Sequence, residues 1–131
     1  MYLIIVGANN IAQSLISLAV KDGHQVAVIE KDTESSRTVL EEYDVEVFQV
    51  DIAKNGVLEE AGAKKADALV AITEDDSTNL MAMFLAKQHG IKKLISMVNN
   101  SEHQAMFESL GVNVIVAPEM IIAQNLLGLL K

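Results

Sequence analysis

The sequence predicts an α/β domain in which helices cover both faces of a doubly wound parallel sheet. Short, continuous apolar runs alternate along the chain with stretches whose apolar residues recur at helical spacing. Continuous runs such as Tyr2–Val6 are typical of parallel strands that are buried on both sides. Several helical stretches are followed by a glycine, which favours the left-handed conformation that ends a helix. These glycines are Gly23, Gly62, Gly90 and Gly111.

Strands and helices are predicted in strict alternation. The strands are expected at residues 2–6, 25–29, 45–50, 68–72, 94–98 and 113–116. The helices are expected before Gly23, from residue 32 or 33 to 42, at 54–61, from 76 or 77 to 89, at 101–110, and after Pro118, whose fixed φ suits a first helical turn. Alternating strands and helices form right-handed βαβ units, so the chain matches the six-stranded Rossmann order 3-2-1-4-5-6.

Composition excludes several classes of function. Half of the residues are hydrophobic, the net charge is −8, and there is no cysteine. The acidic balance argues against a nucleic-acid partner, and the lack of cysteine excludes disulfides, zinc-thiolate sites and thiol nucleophiles. Neither a secretory signal nor a bilayer-spanning apolar run is visible, so we expect a cytoplasmic chain without direct membrane insertion. With one proline and no linker-like tract, residues 1–131 are expected to form one domain.

The first strand is followed by the turn Gly7-Ala8-Asn9-Asn10-Ile11, which departs from the Gly-x-Gly-x-x-Gly pattern of dinucleotide-binding turns. Gly7 permits a tight turn, and the N-terminus of the next helix favours an anion. Asn9 replaces the second glycine. We expect its tolerance of positive φ to preserve the turn, while its side chain stands in the path of a phosphate. This segment alone supports a ligand site and a purely structural turn about equally.

Two carboxylates follow the next two strands. Glu30 ends the second strand, at the spacing at which an acidic residue accepts hydrogen bonds from both ribose hydroxyls of an adenosine. The alternative for Glu30 is a solvated charge paired with Lys31. Asp51 ends the third strand, either to accept a hydrogen bond from an adenine amino group or to cap the next helix. Because parallel strands end at one edge of a sheet, these residues are predicted to face a common crevice.

No catalytic set emerges from the remaining polar residues. The histidines, His24, His89 and His103, are expected away from the strand ends, and no hydroxyl has an adjacent base in a triad-like position. The cluster Glu74-Asp75-Asp76 favours a helix cap over a divalent-cation site. We therefore predict neither catalytic residues nor a metal site.

Several ordered segments resemble the N-terminal domain of regulators of potassium conductance. These are the RCK or TrkA-N domains of Trk/Ktr-type potassium uptake systems and potassium channels. The resemblance is carried by LEEAGAKKADALVAIT, by the helix start DSTNL at residues 76–80, and by VNNSEHQAMFESLGV. It extends over essentially the whole chain and implies a single RCK N-terminal domain at residues 1–131. It also implies a Rossmann-like sheet with a C-terminal crossover helix, at residues 118–131, that packs on a partner subunit.

The resemblance implies a ligand sensor rather than an enzyme. Family members bind AMP, ADP, ATP or NAD(H) at the strand ends. They assemble into homodimers or rings that control a potassium channel or transporter subunit, which places them at the inner face of the membrane. By position, the residues that would bind the nucleotide are Gly7, Ala8, Asn9, Asn10 and Ile11 at the phosphates, Glu30 at the ribose with Lys31 beside it, and Asp51, Ile52 and Thr73 around the adenine.

The turn departs from the family pattern in its charge. Asn9 and Asn10 stand where relatives carry a glycine and often an arginine, and Met97 replaces a further arginine. Few cations remain to neutralise a triphosphate, so a single phosphate, as in AMP, is predicted to fit better. Two alternatives stay open: a small NAD-dependent oxidoreductase, and a Rossmann module that has lost ligand binding.

Overall fold

The computed structural model describes residues 1–131 and confirms the α/β architecture. The strands are β1 (Tyr2–Val6), β2 (Gln25–Ile29), β3 (Glu46–Phe48), β4 (Ala68–Ala71), β5 (Lys93–Val98) and β6 (Asn113–Val116). The α-helices are α1 (Asn10–Lys21), α2 (Thr33–Glu42), α3 (Val57–Glu60), α4 (Asp76–Gln88), α5 (Gln104–Ser109) and α6 (Pro118–Leu129). Two 3-10 turns, Ala63–Lys65 and Ser101–His103, precede β4 and α5.

The strands are all parallel and lie in the order β3-β2-β1-β4-β5-β6, as predicted. The order reverses at β1, which pairs with β2 on one side and with β4 on the other. In this register Val6 lies opposite both Ile29 and Ala71. The residues that follow β1, β2 and β4 therefore meet at one edge of the sheet, where ligands bind in folds of this kind.

The strands are apolar on both faces because helices cover both faces. On one face, Ile4 and Leu69 belong to a core cluster with Met83 of α4 and Phe107 of α5, and all four are fully buried. The other face is covered by α1 and α2, whose buried apolar residues there are Ala12, Ile16, Ala19 and Val39. This double cover accounts for the high apolar content of the chain and leaves the strand ends as the polar part of the sheet.

Two elements between β2 and β4 are shorter than predicted. β3 ends at Phe48 instead of residue 50, because the N–H of Val50 donates to the carbonyl of Phe48 at 3.0 Å and closes a tight turn there. α3 starts at Val57 instead of residue 54. Gly56 has a φ of +85°, and this left-handed conformation cannot form part of a right-handed helix, so the helix begins after it. The intervening residues form a loop that contributes to the cavity described below.

α6 is the one α-helix of the chain without a buried residue. It follows Ala117, the only non-glycine residue at positive φ, with a φ of +44°. Apolar side chains are exposed along and just after it: Met120, Ile121, Ile122, Leu126, Leu127, Leu129 and Leu130. A helix that is apolar on most sides is normally buried, whereas the apolar side chains of α6 are exposed. None of the helices combines the length and the apolar character that crossing a bilayer requires.

Candidate functional site

A cavity of about 430 Å³ lies at the strand ends, where the strand order reverses. Its wall contains most of the residues predicted to bind a ligand: Gly7, Ala8, Asn9, Glu30, Lys31, Asp51, Ile52 and Thr73. The other two, Asn10 and Ile11, line a second cavity of about 700 Å³, which shares Ala8, Asn9, Ser35 and Glu74 with the first. The structure thus brings the predicted residues together at one edge of the sheet, and their contact with a ligand stays a prediction.

The wall also contains residues that were not predicted to bind a ligand: Val6, Ile29, Ser35, Val50, Ile72, Glu74, Asp75 and Thr78. Val6 and Ile29 end β1 and β2, and Val50 and Ile72 come shortly after β3 and β4. Ser35 comes from the first turn of α2, which no motif marks, and Thr78 from the DSTNL segment at the start of α4, which carries the family resemblance but predicted no site residue. Their place in the wall follows from how these two helices pack on the sheet.

Gly7 forms the turn that opens the cavity. Its φ is +119°, a region that residues with a Cβ rarely adopt, and its N–H donates to the carbonyl of Ile29 at 2.9 Å. A Cβ at this position would lie 3.0 Å from the carbonyl oxygen of Ile72, which follows β4. Glycine is therefore required both by the backbone conformation and by the close approach of the ends of β1 and β4.

The expectation that Asn9 relies on positive φ is wrong. Its φ is −72°, and it is the N-cap of α1 in an extended conformation. The Asn9 Oδ1 accepts a hydrogen bond from the N–H of Ala12 at 2.9 Å, and the Nδ2 donates to the carbonyl of Ile72 at 2.7 Å. The turn is preserved by side-chain capping, because an N-cap asparagine satisfies an amide that the helix leaves unpaired.

Glu30 binds the backbone of the turn. Its Oε1 accepts from the N–H of Ala8 at 2.9 Å, and its Oε2 accepts from the N–H of Asp32 at 3.1 Å. The alternative interpretation, an ion pair with Lys31, is not observed. Because an ionised carboxylate offers about four acceptor positions, this half-buried side chain keeps capacity for two ribose hydroxyls.

Asp51 and Ile52 reach the cavity from the loop after β3. The Asp51 Oδ1 accepts from the N–H of Ala53 at 2.9 Å, and its carbonyl accepts from the N–H of Lys54 at 2.9 Å. Asp51 therefore stabilises its own loop rather than the first turn of α3, which begins later, and its Oδ2 is left for another donor. Ile52 is 3% exposed and adds an apolar surface beside this carboxylate.

Asn79 was not predicted as a site residue, although it holds Thr73 in the cavity wall. Its side chain is fully buried. The Asn79 Oδ1 accepts from the N–H of Thr73 at 3.0 Å and from its Oγ1 at 2.6 Å. The Asn79 Nδ2 donates to the carbonyls of Thr73 at 3.0 Å and of Met97 at 3.1 Å. Two signals were available: Asn79 belongs to the DSTNL segment that carries the family resemblance, and an asparagine on the apolar side of a helix needs partners once it is buried.

The acidic cluster after β4 caps α4, as the sequence favoured, and also ties α4 to the loop after β5. Asp75 is the N-cap. Asp76 accepts from the N–H groups of Asn99 at 2.7 Å and Asn100 at 2.9 Å, and its Oδ2 lies 2.8 Å from the Nδ1 of His103. The expectation that all histidines lie away from the strand ends is wrong for His103, because the 3-10 turn after β5 brings its ring back to α4.

Acid is expected to weaken this connection. Partial burial raises the pKa of Asp76, but the hydrogen bonds from Asn99, Asn100 and His103 outweigh it, so the pKa lies below its ordinary value. A carboxyl with a lowered folded-state pKa stabilises the fold above its unfolded pKa, and this stabilisation is lost as the pH falls through the folded value. We expect Asp76→Asn to lower the free energy of unfolding by about 1–2 kcal/mol near neutral pH.

The difference between wild type and Asp76→Asn should shrink as the pH falls below about 4, the ordinary pKa that the carboxyl has in the unfolded chain, and disappear once the pH falls through the lower pKa of the folded state. Urea unfolding of both proteins from neutral to acid pH measures this difference in the free energy of unfolding. A difference that is the same at neutral and acid pH would contradict the assignment of the hydrogen bonds to an ionised Asp76.

The cavity is acidic. Four carboxylates and one ammonium group line its wall, from Glu30, Asp51, Glu74, Asp75 and Lys31. The hydrogen bond from the Thr78 hydroxyl is the main cause that lowers the pKa of Asp75, and the charge of Lys31 contributes to the same effect. The single cation therefore lies within the field of a carboxylate. A ligand that carries several phosphates meets net repulsion at this site.

Residues 3–118 match the family model of the TrkA-N domain. The chain belongs to the TrkA-N domain family. The Trk system potassium uptake protein TrkA homolog of Methanothermobacter thermautotrophicus is 33% identical over 123 residues, which cover 91% of this chain and 55% of the relative. The homolog of Pyrococcus abyssi is 33% identical over 129 residues, which cover 94% of this chain and 57% of the relative. This TrkA-N domain thus spans little more than half the length of these relatives.

Solved structures share the fold of this TrkA-N domain. The TrkA-N domain of Escherichia coli inner membrane protein ybaL has a TM-score of 0.88 at 18% identity, with coverage of 99% of this chain and 96% of the other. The AMP-bound Kef CTD of Shewanella denitrificans has a TM-score of 0.77 at 26% identity, with coverage of 98% and 82%. The GsuK channel bound to NAD has a TM-score of 0.78 at 17% identity, with coverage of 87% and 21%. These matches confirm the resemblance seen in the sequence.

Proposed function

We propose that this TrkA-N domain is a regulatory adenine-nucleotide-binding unit of a potassium transport system. The observation that carries the proposal is the cavity at the reversal of strand order, where the Gly7 turn, Glu30 and Asp51 converge. The names of the relatives, which are potassium uptake proteins, support the transport role. Structures of the same fold with AMP or NAD support an adenine ligand.

In the proposed complex the ribose hydroxyls donate to Glu30, whose carboxylate the turn already holds by the Ala8 amide. The adenine lies against the apolar surface of Ile52, opposite Thr73, and its amino group donates to Asp51. The phosphate end faces the turn at residues 7–11, with Lys31 as the nearby cation. AMP, ADP, ATP and NAD(H) all share the adenosine part that these residues would bind.

The domain is proposed to sense its ligand without converting it. A small NAD-dependent oxidoreductase, the alternative function, needs an acid-base side chain beside the nicotinamide. The walls of the two cavities at the strand ends contain no histidine, tyrosine or cysteine. A catalytic step would therefore have to use the carboxylates or Lys31, whose arrangement suits hydrogen bonding to a ribose better than proton transfer to a substrate.

Calorimetric titration with adenosine, AMP, ADP, ATP, NAD and NADH tests the ligand class, with GMP as the control. We expect at least one adenine compound to bind with a Kd of about 1–100 μM and GMP not to bind, because Asp51 accepts from an exocyclic amino group that guanine does not carry at that position. If no adenine compound binds, the domain is a Rossmann module that has lost its ligand.

We also propose that the domain works as a homodimer or ring on the cytoplasmic side of a channel or transporter subunit. In this arrangement residues 1–131 form one domain, and the helix at 118–131 packs on a partner subunit. Two uncovered apolar surfaces support the assembly. One is α6, and the other is a groove between α4 and α5 lined by Leu80, Met81, Phe84, Met106 and Leu110.

Substitution of two exposed apolar residues of α6 by glutamate is expected to dissociate this assembly. Ile122 and Leu126 lie one helical turn apart and are 61% and 60% exposed. In a subunit interface their replacements would be desolvated without a partner, which is unfavourable for a charged group. In sedimentation velocity at about 50 μM, Ile122→Glu/Leu126→Glu should be a monomer and wild type a dimer or larger. Gln124→Glu, on the same helix, should assemble like wild type. A monomeric wild type would contradict the proposal.

A further inference from the structure

Asn9 separates two cavities at the strand ends. The first, of about 430 Å³, contains Glu30 and Asp51, and the second, of about 700 Å³, lies between the start of α1 and the start of α6. Asn9 belongs to the walls of both, together with Ala8, Ser35 and Glu74. In dinucleotide-binding sheets the pyrophosphate crosses the N-terminus of the first helix, between the two halves of the ligand. In this chain that crossing point is occupied by the Asn9 side chain.

The Asn9 side chain is held from both sides. Its Oδ1 accepts from the N–H of Ala12 at 2.9 Å, and its Nδ2 donates to the carbonyl of Ile72 at 2.7 Å. The Ala12 amide is one of the donors that the first turn of a helix offers to an anion. The Asn9 amide oxygen thus occupies a position that a phosphate oxygen takes in an anion-binding turn, and the bond to Ile72 prevents the side chain from swinging away without losing a partner.

A second donor of the turn is also in use. The N–H of Ala8 donates to the Glu30 carboxylate at 2.9 Å. The N–H of Asn9 has no acceptor in the chain, and those of Asn10 and Ile11, at the first two positions of α1, have none within the helix. A ligand therefore finds three neighbouring donors, which match the oxygens of one phosphate group better than a chain of phosphates.

The charges act in the same direction. The first cavity has four carboxylates and a single ammonium group, on Lys31. The charged residues of the second cavity are Glu74 and Glu119, so this cavity offers no cation to neutralise a second or third phosphate. Every phosphate beyond the first would be placed among carboxylates without a compensating cation.

We propose that the Asn9 side chain substitutes for a ligand phosphate at the N-terminus of α1, so that the site accepts adenosine or AMP and rejects ADP, ATP and NAD. The inference rests on the proposed adenine-binding function and names the ligand class within it. Asn9 is the specificity-determining residue, since it closes the path along which additional phosphates would leave the first cavity.

Asn9→Gly provides the test. Glycine at an N-cap is only slightly less stabilising than asparagine, so the variant is expected to fold. The substitution removes the Asn9 side chain, which frees the Ala12 amide and opens the passage between the cavities, while the carboxylates stay in place. Asn55→Gly is the matched control, because Asn55 is exposed in the loop before α3 and lines neither cavity.

Calorimetric titrations with adenosine, AMP, ADP, ATP and NAD are compared for the three proteins. In wild type and in Asn55→Gly, AMP should bind at least about tenfold more tightly than ADP, ATP or NAD. In Asn9→Gly, binding of ADP and NAD should improve about tenfold while the affinity for adenosine changes less than about threefold. Thermal unfolding of Asn9→Gly checks that the variant is folded.

The outcomes separate this inference from the proposed function. If wild type binds ATP or NAD as tightly as AMP, or if the ratio of AMP to ADP affinity is unchanged in Asn9→Gly, the inference is overturned while adenine binding stands. If none of the compounds binds to wild type or to Asn9→Gly, the proposed function fails and the inference falls with it.

Discussion

Glu30→Ala is expected to weaken the binding of AMP by about a hundredfold, because the ribose loses two hydrogen bonds to a charged acceptor. The substitution also frees the N–H of Ala8, which Glu30 Oε1 holds at 2.9 Å, so the turn loses one of its restraints. Calorimetric titration of wild type and variant with AMP measures the change in Kd. Adenosine should lose affinity to the same extent, since the effect is on the ribose rather than on the phosphate.

Two further variants isolate the role of the Glu30 carboxylate. Glu34→Ala removes an exposed carboxylate in the first turn of α2, outside both cavities, and should leave the Kd unchanged. Glu30→Gln keeps an acceptor oxygen in the same place without the charge, so its Kd should lie between those of wild type and Glu30→Ala. Equal affinity of wild type and Glu30→Ala for AMP would show that the ribose is bound elsewhere.

Asn79→Ala is expected to lower the free energy of unfolding by about 3 kcal/mol, among the largest effects of any single substitution in this chain. The reason is the complete burial of the Asn79 side chain. Its removal leaves the N–H of Thr73 without an acceptor. The carbonyls of Thr73 and Met97 each lose one hydrogen bond and keep one, from Asn99 Nδ2 and from Ser96 Oγ. Thr73 would also move from its place in the cavity wall, so AMP binding should weaken in parallel.

Urea unfolding measures the loss of stability, and the exposed Asn55→Ala serves as the matched control with an expected change below about 0.5 kcal/mol. Asn79→Asp separates shape from donor capacity, because a carboxylate still accepts from Thr73 but cannot donate to the two carbonyls. It should therefore also be destabilised. A loss below about 1 kcal/mol in Asn79→Ala would mean that water replaces the side chain, contrary to its complete burial.

Much of the fold follows from local features of the chain. The apolar runs of β1 and β2 were predicted with the observed bounds, and the strand order followed from the alternation of strands with helices. Asp32, one of the two residues at which α2 was expected to start, is its observed N-cap. α4 was expected to start at residue 76 or 77, and its N-cap is Asp75, at the centre of the acidic cluster expected to cap a helix. The shortened β3 was not predictable, since the turn that the N–H of Val50 closes on the carbonyl of Phe48 has no glycine or proline to mark it.

At the site, too, some residues were predictable from the sequence and others depend on contacts between distant segments. Gly7, Glu30 and Asp51 could be selected because each directly follows a strand, and parallel strands end at one edge. Other contacts at this edge could not be predicted, because they join residues that are distant in the chain. Asn79 of α4 binds the carbonyl of Met97 in β5, and Asp76 meets His103 through a turn whose path depends on helix packing. Each pair has a geometry that no local propensity encodes.

The sequence by itself determined the strand order, the edge of the sheet at which a ligand would lie, and the acidity of that edge. These depend on periodicity and on composition, which are local properties. Only the tertiary structure decided what Asn9 does. The sequence was compatible with a left-handed backbone at Asn9 that leaves the turn open. In the structure the side chain lies across the turn, because it donates to the carbonyl of Ile72, which the pairing of β1 with β4 brings near. A contact between segments so far apart in the chain exists only once the sheet has formed.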